Sequence, residues 1–529
     1  MAHDFVVVGA GSAGASLAAR LSEDPDCSVL LLEAGADYKS RSEMPPDLLD
    51  SRNLPGMAHD WNYSAIPVLG RTMPYRRGKV TGGTSAINAA AAQWGRPADF
   101  AAWVDAGNPE WGWEQVQPFF RKLEADRDGD YRTHGKSGPI VISRYTYDEL
   151  IPIQRAFYDA CRENGLPDVR DHNALGESGV GPWPLNRDGT TRVSTALGYL
   201  DTARRRQNLD VQPLSLADRV RFDGELALGV ELANGEFKSA RNVVLCAGAI
   251  GSPAILLRSG IGPEQQLREL GIEVLLHAPG VGAKVWDHAA VPLYMRPRPG
   301  QCVPGRDPRF QVVATLTAED SPEPDDLQMV MATHLDITGS PALLASAGVP
   351  VVAVLRAALM VPRSYGTLRL ANADPRTPPR LELNYASDPE DMRRLMVATR
   401  VAWKLVNTEA LKRETEGIVG LTGTTVASDD LLRRYILEQI GTYCHALGTA
   451  PMGPDRAAGA AVDQYCRVHG FENLWVVDAS VMPSVPRTVP NLTVIMLAER
   501  VATWMRERPN HRMQSTPASG RSRCKRWAS

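Results

Sequence analysis

The sequence predicts an α/β domain built on a parallel sheet, joined to an α+β domain that contains an antiparallel sheet. Three observations carry this prediction. A buried-strand pattern near the N-terminus ends in a glycine-rich turn, and similar strand–turn–helix patterns recur far along the chain. Between residues 291 and 440, apolar runs alternate with turns rich in proline, glycine and aspartate. A chain of 529 residues also exceeds the size at which one hydrophobic core stops growing, so two domains are expected.

The N-terminal element is an apolar run, Phe5–Val8, that leads into the turn Gly9-Ala-Gly-Ser-Ala-Gly14 and an apolar helical pattern. Gly9 permits a tight turn, Gly11 lets a pyrophosphate approach the backbone, and Gly14 allows the helix to pack closely on the strand. Glu33 ends the next apolar run, where a carboxylate can accept hydrogen bonds from an adenosine ribose. This combination predicts a Rossmann-like dinucleotide-binding domain. The same two turns add three predicted contacts: Ser12, Ala13 and Ala34.

Later apolar runs suit additional strands of this parallel sheet. Ser239–Cys246 and Asn473–Asp478 each end in a small or acidic residue and lead into a turn and a helix. Sheets of this class bind ligands beyond the carboxyl ends of their strands. A last helix is predicted over about 492–506, because apolar residues such as Leu497 and Val501 recur with helical spacing.

The middle of the chain has the pattern of an antiparallel sheet with one covered face. Apolar runs start at Phe310, Leu327, Val351 and Gly366, and a helical pattern covers Pro389–Asn407. The predicted boundaries assign residues 1–147, 187–290 and 440–508 to the dinucleotide-binding domain, and residues 148–186 and 291–439 to a substrate-binding domain. Residues 509–529 are rich in basic, polar and small residues and include no acid, so we predict a disordered basic tail.

Composition and charge exclude several classes of function. Hydrophobic residues make up 43% of the chain and charged residues 22%, as in ordinary globular proteins. A net charge of −3 gives no electrostatic reason to expect nucleic acid or a membrane surface as a partner. The seven cysteines are dispersed without a CxxC pair, so we predict neither a disulfide framework nor a metal site. Because the first strand follows Met1 directly and no apolar run could span a membrane, we expect a cytoplasmic protein.

Two further glycine-rich segments, Gly78–Asn88 and Gly248–Gly262, extend the pattern. Together with the N-terminal turn, they resemble the glucose–methanol–choline (GMC) oxidoreductases, a family of FAD enzymes. The similarity runs from residue 4 to about 506 and includes Gly280–His288 and Asp478–Pro483. The segment Gly248–Gly262 fits the family signature throughout, whereas the first segment departs from it at Thr81.

The resemblance implies that FAD binds without a covalent bond. The paired glycines Gly82 and Gly83 leave a flat backbone that can lie against a flavin ring. Some relatives bond a histidine of this segment to the flavin, but the corresponding residue here is Ile87, which cannot form that bond. In addition to the turn residues above, the implied cofactor contacts are Gly82, Gly83, Thr84, Ser85, Asn88, Ala217, Ala247, Asp478, Ala479, Pro490, Asn491 and Thr493.

His445 is the candidate general base, because the ordinary pKa of imidazole lies near operating pH. A lone histidine is more often structural, but the surrounding segment Tyr443–Gly453 resembles the family's catalytic segment. The implied reaction oxidises a primary alcohol to an aldehyde: His445 removes the hydroxyl proton while hydride passes from the carbon to flavin N5. Cys444 is interpreted as a packing residue, since neighbours in an extended segment point to opposite sides. The predicted pocket residues are Trp61, Tyr443 and Val489.

The resemblance leaves the second catalytic residue open. The family pairs its histidine with a second histidine or an asparagine, and this position falls on Val489, whose side chain cannot hydrogen-bond. Asn491 is the alternative, if Pro490 reshapes the loop.

We therefore predict an oxidase or dehydrogenase of a small-molecule alcohol. It would pass its electrons to oxygen or another acceptor and exist as a monomer or homodimer. Two alternatives stay open: a non-redox lyase of the same fold, such as one that cleaves hydroxynitriles, and a non-catalytic flavin-binding protein.

Overall fold

The computed structural model describes residues 2–174, 176 and 178–507, so the predicted basic tail lies outside the described residues. Two seven-stranded sheets organise the fold. In chain order, their strands are β1 (His3–Val8), β2 (Val29–Leu32), β3 (Gly179–Pro182), β4 (Leu209–Gln212), β5 (Ala217–Asp223), β6 (Leu226–Leu232), β7 (Phe237–Leu245), β8 (Ala289–Pro297), β9 (Val312–Leu316), β10 (Leu327–Asp336), β11 (Val351–Leu359), β12 (Thr415–Val419), β13 (Gly441–Thr442) and β14 (Leu474–Val476).

The helices lie between and beside these strands in the sequence. The longer ones are α1 (Ser12–Leu21), α2 (Pro97–Asp105), α3 (Trp113–Leu123), α4 (Pro152–Glu163), α5 (Gly248–Arg258), α6 (Pro389–Val406), α7 (Asp429–Gln439) and α8 (Asn491–Glu507). Shorter helices span Pro46–Leu49, Asp201–Ala203, Glu264–Glu269, Pro341–Ala347, Glu409–Glu414 and Gly423–Ala427. Two-stranded ribbons join Tyr63–Ala65 to Met73–Tyr75, Glu124–Asp126 to Ile140–Ile142, Arg187–Asp188 to Thr191–Arg192, and Ile261–Gly262 to Leu276–His277.

The first sheet has the order β4-β2-β1-β7-β6-β5, with β14 beside β7. β1 pairs in parallel with β2 and β7, and Val8 lies opposite both Leu32 and Leu245 at their carboxyl ends. The runs Ser239–Cys246 and Asn473–Asp478 form β7 and β14, which confirms the parallel core. The sequence pattern did not predict β5 and β6, which extend the sheet in antiparallel fashion along the first half of β7.

The second sheet is antiparallel, with the order β12-β8-β11-β10-β9-β3 and β13 beside β8. The apolar runs that start at Phe310, Leu327 and Val351 form β9, β10 and β11. The predicted fold class, an α/β domain with an antiparallel α+β part, is therefore confirmed. Strand β8 (Ala289–Pro297) crosses the boundary predicted after residue 290, and β13 belongs to the second sheet although it follows the boundary predicted at 440. The domain division stays a prediction.

One predicted strand does not join the second sheet. The run that starts at Gly366 forms Thr367–Arg369, which pairs with Arg380–Glu382 in a separate ribbon. Gly366 exchanges two backbone hydrogen bonds with Val285, both at 2.9 Å. These bonds hold the run beside the segment that precedes β8. The run therefore does not extend the large sheet.

The C-terminal helix α8 lies close to its predicted bounds and packs on α1. Glu499 is fully buried, and its carboxylate accepts hydrogen bonds from Arg20 at 2.9 Å and from the hydroxyl of Tyr199 at 2.7 Å. These bonds connect α8 to the helix that follows the N-terminal glycine turn. None of the helices in the described part of the chain combines the length and the apolar character of a membrane span.

A buried ionic network supports the fold next to α3. The ring of His134 lies between two carboxylates, with Nδ1 2.7 Å from Glu124 Oε1 and Nε2 2.7 Å from Asp171 Oδ2. Arg144 bridges Asp126 and Asp171 in the same network. Burial lowers the pKa of His134, but the hydrogen bonds with Asp171 and Glu124 outweigh this effect and raise the pKa to about 9. The ring is therefore a cation at neutral pH and donates to both carboxylates.

We expect His134→Gln to lower the free energy of unfolding by about 2 kcal/mol at pH 6 and by much less at pH 10. The pKa of the folded state lies above the value of about 6.5 for an unfolded histidine. The contribution is therefore complete below pH 6.5 and is lost as the pH rises through about 9. Urea unfolding at both pH values measures it, with His469→Gln as the control, since His469 bonds to a backbone carbonyl of Gly453. An equal loss at both pH values would show that the charge of His134 does not stabilise the fold.

Candidate active site

Residues from both large sheets line a cavity of about 930 Å³. Val8 lies at the carboxyl end of β1, whereas Tyr294, Val330 and Arg356 belong to β8, β10 and β11. The cavity extends from the N-terminal glycine turn to His445. It therefore occupies the place where α/β sheets bind ligands, beyond the carboxyl ends of the strands.

Most of the predicted site residues meet in this cavity. Those that line it are Gly9, Gly11, Ser12, Ala13, Glu33, Ala34, Trp61, Gly83, Thr84, Asn88, Ala217, Ala247, Tyr443, His445, Asp478, Ala479, Val489, Pro490 and Asn491. Gly14, Gly82, Ser85 and Thr493 are buried and do not line it. The structure thus brings the predicted residues together, while the role of each one stays a prediction.

The glycine turn after β1 is compact because side chains have no room in it. Gly9 has a φ of +99°, and a Cβ on this residue would lie 2.6 Å from the carbonyl oxygen of Cys246. A Cβ on Gly14 would lie 1.9 Å from the oxygen of Gly9, so α1 packs directly on the turn. At Gly11, the nearest atom to such a Cβ is 3.7 Å away. The backbone of Gly11 is therefore open to the cavity, as the approach of a pyrophosphate requires.

Glu33 is buried at the end of β2, and the backbone fixes its carboxylate. Oε2 accepts a hydrogen bond from the N–H of Ala10 at 3.0 Å, and Oε1 accepts one from Gly35 at 2.8 Å. Burial raises the pKa of Glu33 to about 7, although these backbone hydrogen bonds act in the opposite direction. Each carboxylate oxygen has a second lone pair, so Glu33 can still accept hydrogen bonds from hydroxyl groups of a ligand.

The segment Gly82–Ala86 packs against the glycine turn. A Cβ on Gly83 would lie 2.6 Å from the Cα of Gly11, so two backbones touch here. The hydroxyl of Ser85 donates to a carbonyl oxygen of its own turn at 2.6 Å and lies 3.1 Å from Thr195 Oγ1. Ser85 therefore stabilises the turn, and the predicted contact of its side chain with a cofactor has no support because the hydroxyl is already used.

A buried carboxylate holds the loop that carries His445. Asp287 Oδ1 accepts the backbone N–H of His445 at 2.7 Å. Asp287 Oδ2 accepts the hydroxyl groups of Tyr75 at 2.9 Å and Tyr385 at 2.5 Å, and that of Thr442 as well. Hydrogen bonds to an ionised acceptor are stronger than neutral ones. The position of His445 on the cavity wall is thus fixed through its backbone.

A second histidine fixes the tautomer of His445. The Nδ1 atoms of His288 and His445 are 2.8 Å apart, and His288 Nε2 lies 3.0 Å from the carbonyl oxygen of Pro486. A carbonyl oxygen only accepts, so His288 Nε2 carries the proton. Burial lowers the pKa of His288 to about 4, so the ring is neutral and its Nδ1 is an acceptor. His445 therefore donates from Nδ1 and keeps a lone pair on Nε2.

The same surroundings keep His445 neutral. Burial lowers the pKa of His445 well below its usual value, and His288, Arg77 and Arg356 add to this effect. Among the described residues, the Nε2 of His445 has no recorded hydrogen-bond partner. A neutral imidazole with a free lone pair can accept a proton from a ligand in the cavity.

Two predictions near His445 meet unexpected geometry. Cys444 has a φ of +61°, so the expected extended backbone is wrong. The side chain nevertheless packs against the main hydrophobic core, and the residue also lines the cavity. Burial raises the pKa of the Cys444 thiol, which keeps it protonated.

Asn491 is the first residue of α8, and its Oδ1 accepts the hydroxyl of Ser12 at 2.8 Å. This bond directs Asn491 to the glycine turn, and its catalytic role stays a prediction without support from the hydrogen bonds.

The apolar side of the cavity is formed by Val489 and its neighbours. Val489 is buried in a cluster with Ala91, Trp183 and Val330. On another side, the rings of Trp61 and Tyr63 stack with centroids 5.5 Å apart. These apolar and aromatic side chains line the same cavity as His445.

Sequence reasoning missed His288 and Asp287 as site residues, although both belong to a segment that carried the family resemblance. They precede His445 by 157 and 158 residues. The available signal was the Asp-His pair that directly precedes β8. Arg356, on β11, gave no signal in the sequence.

Comparison with known proteins places these features in a family. The description GMC oxidoreductase matches residues 3–290 and 362–498 of the chain. An oxygen-dependent choline dehydrogenase of Serratia proteamaculans is 34% identical over 96% of this chain and 96% of its own length. A 5-(hydroxymethyl)furfural oxidase of Methylovorus sp. is 34% identical over 94% of this chain and 98% of its own.

A solved structure shares the whole fold. The crystal structure of pyridoxine 4-oxidase from Mesorbium loti superposes with a TM-score of 0.86 and 30% sequence identity, over 96% of this chain and 99% of its own. The family match covers more than half of the chain, and the similar proteins are matched over nearly their full length. The chain therefore belongs to the GMC oxidoreductase family.

Proposed function

We propose that the protein is an FAD-dependent oxidoreductase that oxidises a primary alcohol to an aldehyde, with His445 as the general base. One observation carries the proposal: the hydrogen bond to His288 leaves the Nε2 of His445 with a lone pair in a cavity that begins at a dinucleotide turn. The family supports this chemistry. Three relatives are named for choline, 5-(hydroxymethyl)furfural and pyridoxine, compounds that each carry a primary alcohol.

The residues present fit FAD. The open backbone of Gly11 and the N-terminus of α1 suit a pyrophosphate, and Glu33 suits a ribose. Asp478 accepts the N–H of Gly248 at 2.9 Å and thereby holds the start of α5 at the cavity wall. Ile87 lines the cavity and offers no nucleophilic atom, which supports non-covalent binding. When bound, FAD would supply the acceptor for the hydride that leaves the alcohol carbon.

The protein's own residues would position and deprotonate the alcohol. His445 Nε2 would accept the hydroxyl proton, and the resulting imidazolium would keep its Nδ1–H bond to His288. Asp287 would hold the loop in place through the backbone of His445. Val489 and Trp183 would keep water away from the reacting oxygen. We also propose oxygen or another small molecule as the electron acceptor, a monomer or homodimer, and a cytoplasmic location.

An anaerobic experiment tests the proposed function. The purified yellow protein is mixed with a panel of primary alcohols, and the visible absorbance of the flavin is followed. Bleaching together with formation of an aldehyde is the expected result. Product formation with unchanged flavin would instead identify a lyase, and neither change with any alcohol would leave a flavin-binding protein. Repeating the reaction in air or with a quinone dye identifies the electron acceptor.

A further inference from the structure

The second-sheet wall of the cavity carries an arginine without a counter-charge. Arg356 on β11 is half-buried and lines the cavity. It lies in register with Val330 on β10, which lines the same cavity. Its recorded contact is the ring of Tyr443, whose centroid is 5.7 Å from the guanidinium carbon. Within the described part of the chain, no carboxylate or hydrogen-bond acceptor is recorded for the guanidinium of Arg356.

A second donor without an acceptor lies next to this arginine. The hydroxyl of Tyr443 is buried and has no hydrogen-bond partner among the described residues. The ring of Tyr443 is near the base as well as near Arg356, since its centroid is 5.6 Å from that of His445. A buried hydroxyl without a partner costs free energy unless a ligand satisfies it. Arg356 and Tyr443 thus offer donors to one place in the cavity, close to His445.

Nearby charge makes this place more positive. The Nε of Arg309 is buried and has no partner among the described residues. Burial, together with the positive charges of Arg356 and Arg76, lowers the pKa of Arg309 to about 10. Arg76 has its own counter-ion, because its Nε lies 3.0 Å from Asp60 Oδ2. Arg309 does not itself line the cavity, and it adds a second positive charge in the neighbourhood of Arg356.

The carboxylates of the cavity lie elsewhere. Glu33 and Asp478 are the acidic residues among the described residues that line it. Glu33 is bonded to the backbone of Ala10, and Asp478 to that of Gly248, so both belong to the dinucleotide end. Asp287 bonds to the backbone of His445 but does not line the cavity, so among the described residues a cationic alcohol would meet no carboxylate on the cavity wall beside His445. The charge pattern at the base thus favours a ligand of negative charge.

We propose that the substrate is an alcohol that also carries an anionic group, a carboxylate or a phosphate, which the guanidinium of Arg356 and the hydroxyl of Tyr443 bind while the alcohol lies at His445. A guanidinium pairs with either anion through two parallel hydrogen bonds. This inference names the substrate class of the proposed function and rests on it. It also separates this chain from its choline-oxidising relatives, whose named substrate is a cation.

A matched pair of alcohols tests the inference by kinetics. 4-(Hydroxymethyl)benzoate and 4-(hydroxymethyl)benzamide have nearly the same shape and differ in charge. We expect the parent protein to prefer the benzoate by about tenfold or more in kcat/KM for flavin reduction, because a hydrogen bond to a charged group is worth that much. Arg356→Met should bring this ratio close to one, and Arg356→Lys should keep most of it. Arg369→Met, at an exposed arginine of the separate ribbon that does not line the cavity, should leave the ratio unchanged.

A binding measurement separates failure of this inference from failure of the proposed function. Benzoate, phenyl phosphate and benzamide are titrated into the FAD-loaded protein while the flavin spectrum is recorded. Preferential binding of benzoate or phenyl phosphate, lost in Arg356→Met, supports the anion site even if no alcohol reduces the flavin, and the tighter of the two identifies the anion. Equal binding of benzoate and benzamide would overturn the inference. Loss of FAD from Arg356→Met would also overturn it, because the guanidinium would then serve the flavin.

Discussion

Replacement of His445 with alanine is expected to slow flavin reduction by an alcohol about 10³-fold while FAD stays bound, since general bases contribute roughly 10²- to 10⁴-fold. The side chain of His445 bonds to His288, whereas the loop is held by the backbone N–H to Asp287. The substitution therefore removes the proton acceptor and leaves the anchor of the loop. Anaerobic stopped-flow absorbance measures the rate, and the visible spectrum measures the FAD content.

The pH profile of the parent protein provides a second check on His445. Its pKa is lowered well below 6.5, so the base is already neutral at pH 7. The rate of flavin reduction should stay level from about pH 6.5 upward and fall only at a pH well below the ordinary histidine pKa of about 6.5. His469→Ala serves as the matched control, since this histidine bonds to Gly453 away from the cavity lining. If His445→Ala reduces its flavin as fast as the parent, another group removes the proton.

The dinucleotide end of the site could be predicted from the sequence because the residues that form it directly follow the strands that position them. The spacing of the glycines predicts that side chains have no room at Gly9 and Gly14, and the Cβ positions agree, whereas Gly11 leaves its backbone open to the cavity. The turn and the acid that follows β2 are both close in the sequence to the strands that place them. Because these residues are close in sequence to their strands, Glu33 could be predicted as a residue of the site, and it lines the cavity.

The catalytic end could be predicted only in part, because its contacts are long in sequence. The pairing of His288 with His445 depends on where β8 and β13 meet, and no local pattern states that register. Arg356 occurs within an apolar run, where it resembles an ordinary strand residue with an exposed side. Its place in the cavity follows from the order of the second sheet. The spacing of apolar residues predicts where the strands are. Which side chains meet in the cavity depends on how those strands pair, and the sequence does not show this.

The sequence suggested that Asn491 could replace the hydrogen-bonding partner that is missing at Val489, but the structure gives His445 a different partner. Val489 is packed in an apolar cluster, and Asn491 is bonded to Ser12. Neither side chain is recorded as a hydrogen-bond partner of His445. The recorded side-chain partner is His288, on the far nitrogen of the ring. The structure therefore places the orienting group behind the base, where it acts on the tautomer and leaves the substrate side open.

Replacement of His288 with alanine is expected to lower the rate of flavin reduction by about 10²-fold, because His445 then loses the acceptor that keeps its proton on Nδ1. Part of the population would carry the proton on Nε2 and could not act as a base. His288 also lowers the pKa of His445, so its removal should move the acid limb of the pH profile to higher pH. A purely structural loss would reduce the rate without moving that limb.

The conservative variant decides between orientation and packing. In His288→Asn, the amide oxygen occupies roughly the place of Nδ1 and can accept the proton of His445 Nδ1–H, so this variant should recover most of the rate lost in His288→Ala. Both variants lack the bond from Nε2 to Pro486, so any common loss of thermal stability comes from that bond. Equal rates for the two variants, with the acid limb unmoved, would show that His288 only packs against His445. A recovered rate in His288→Asn would mean that the hydrogen bond itself, rather than the bulk of the ring, prepares the base.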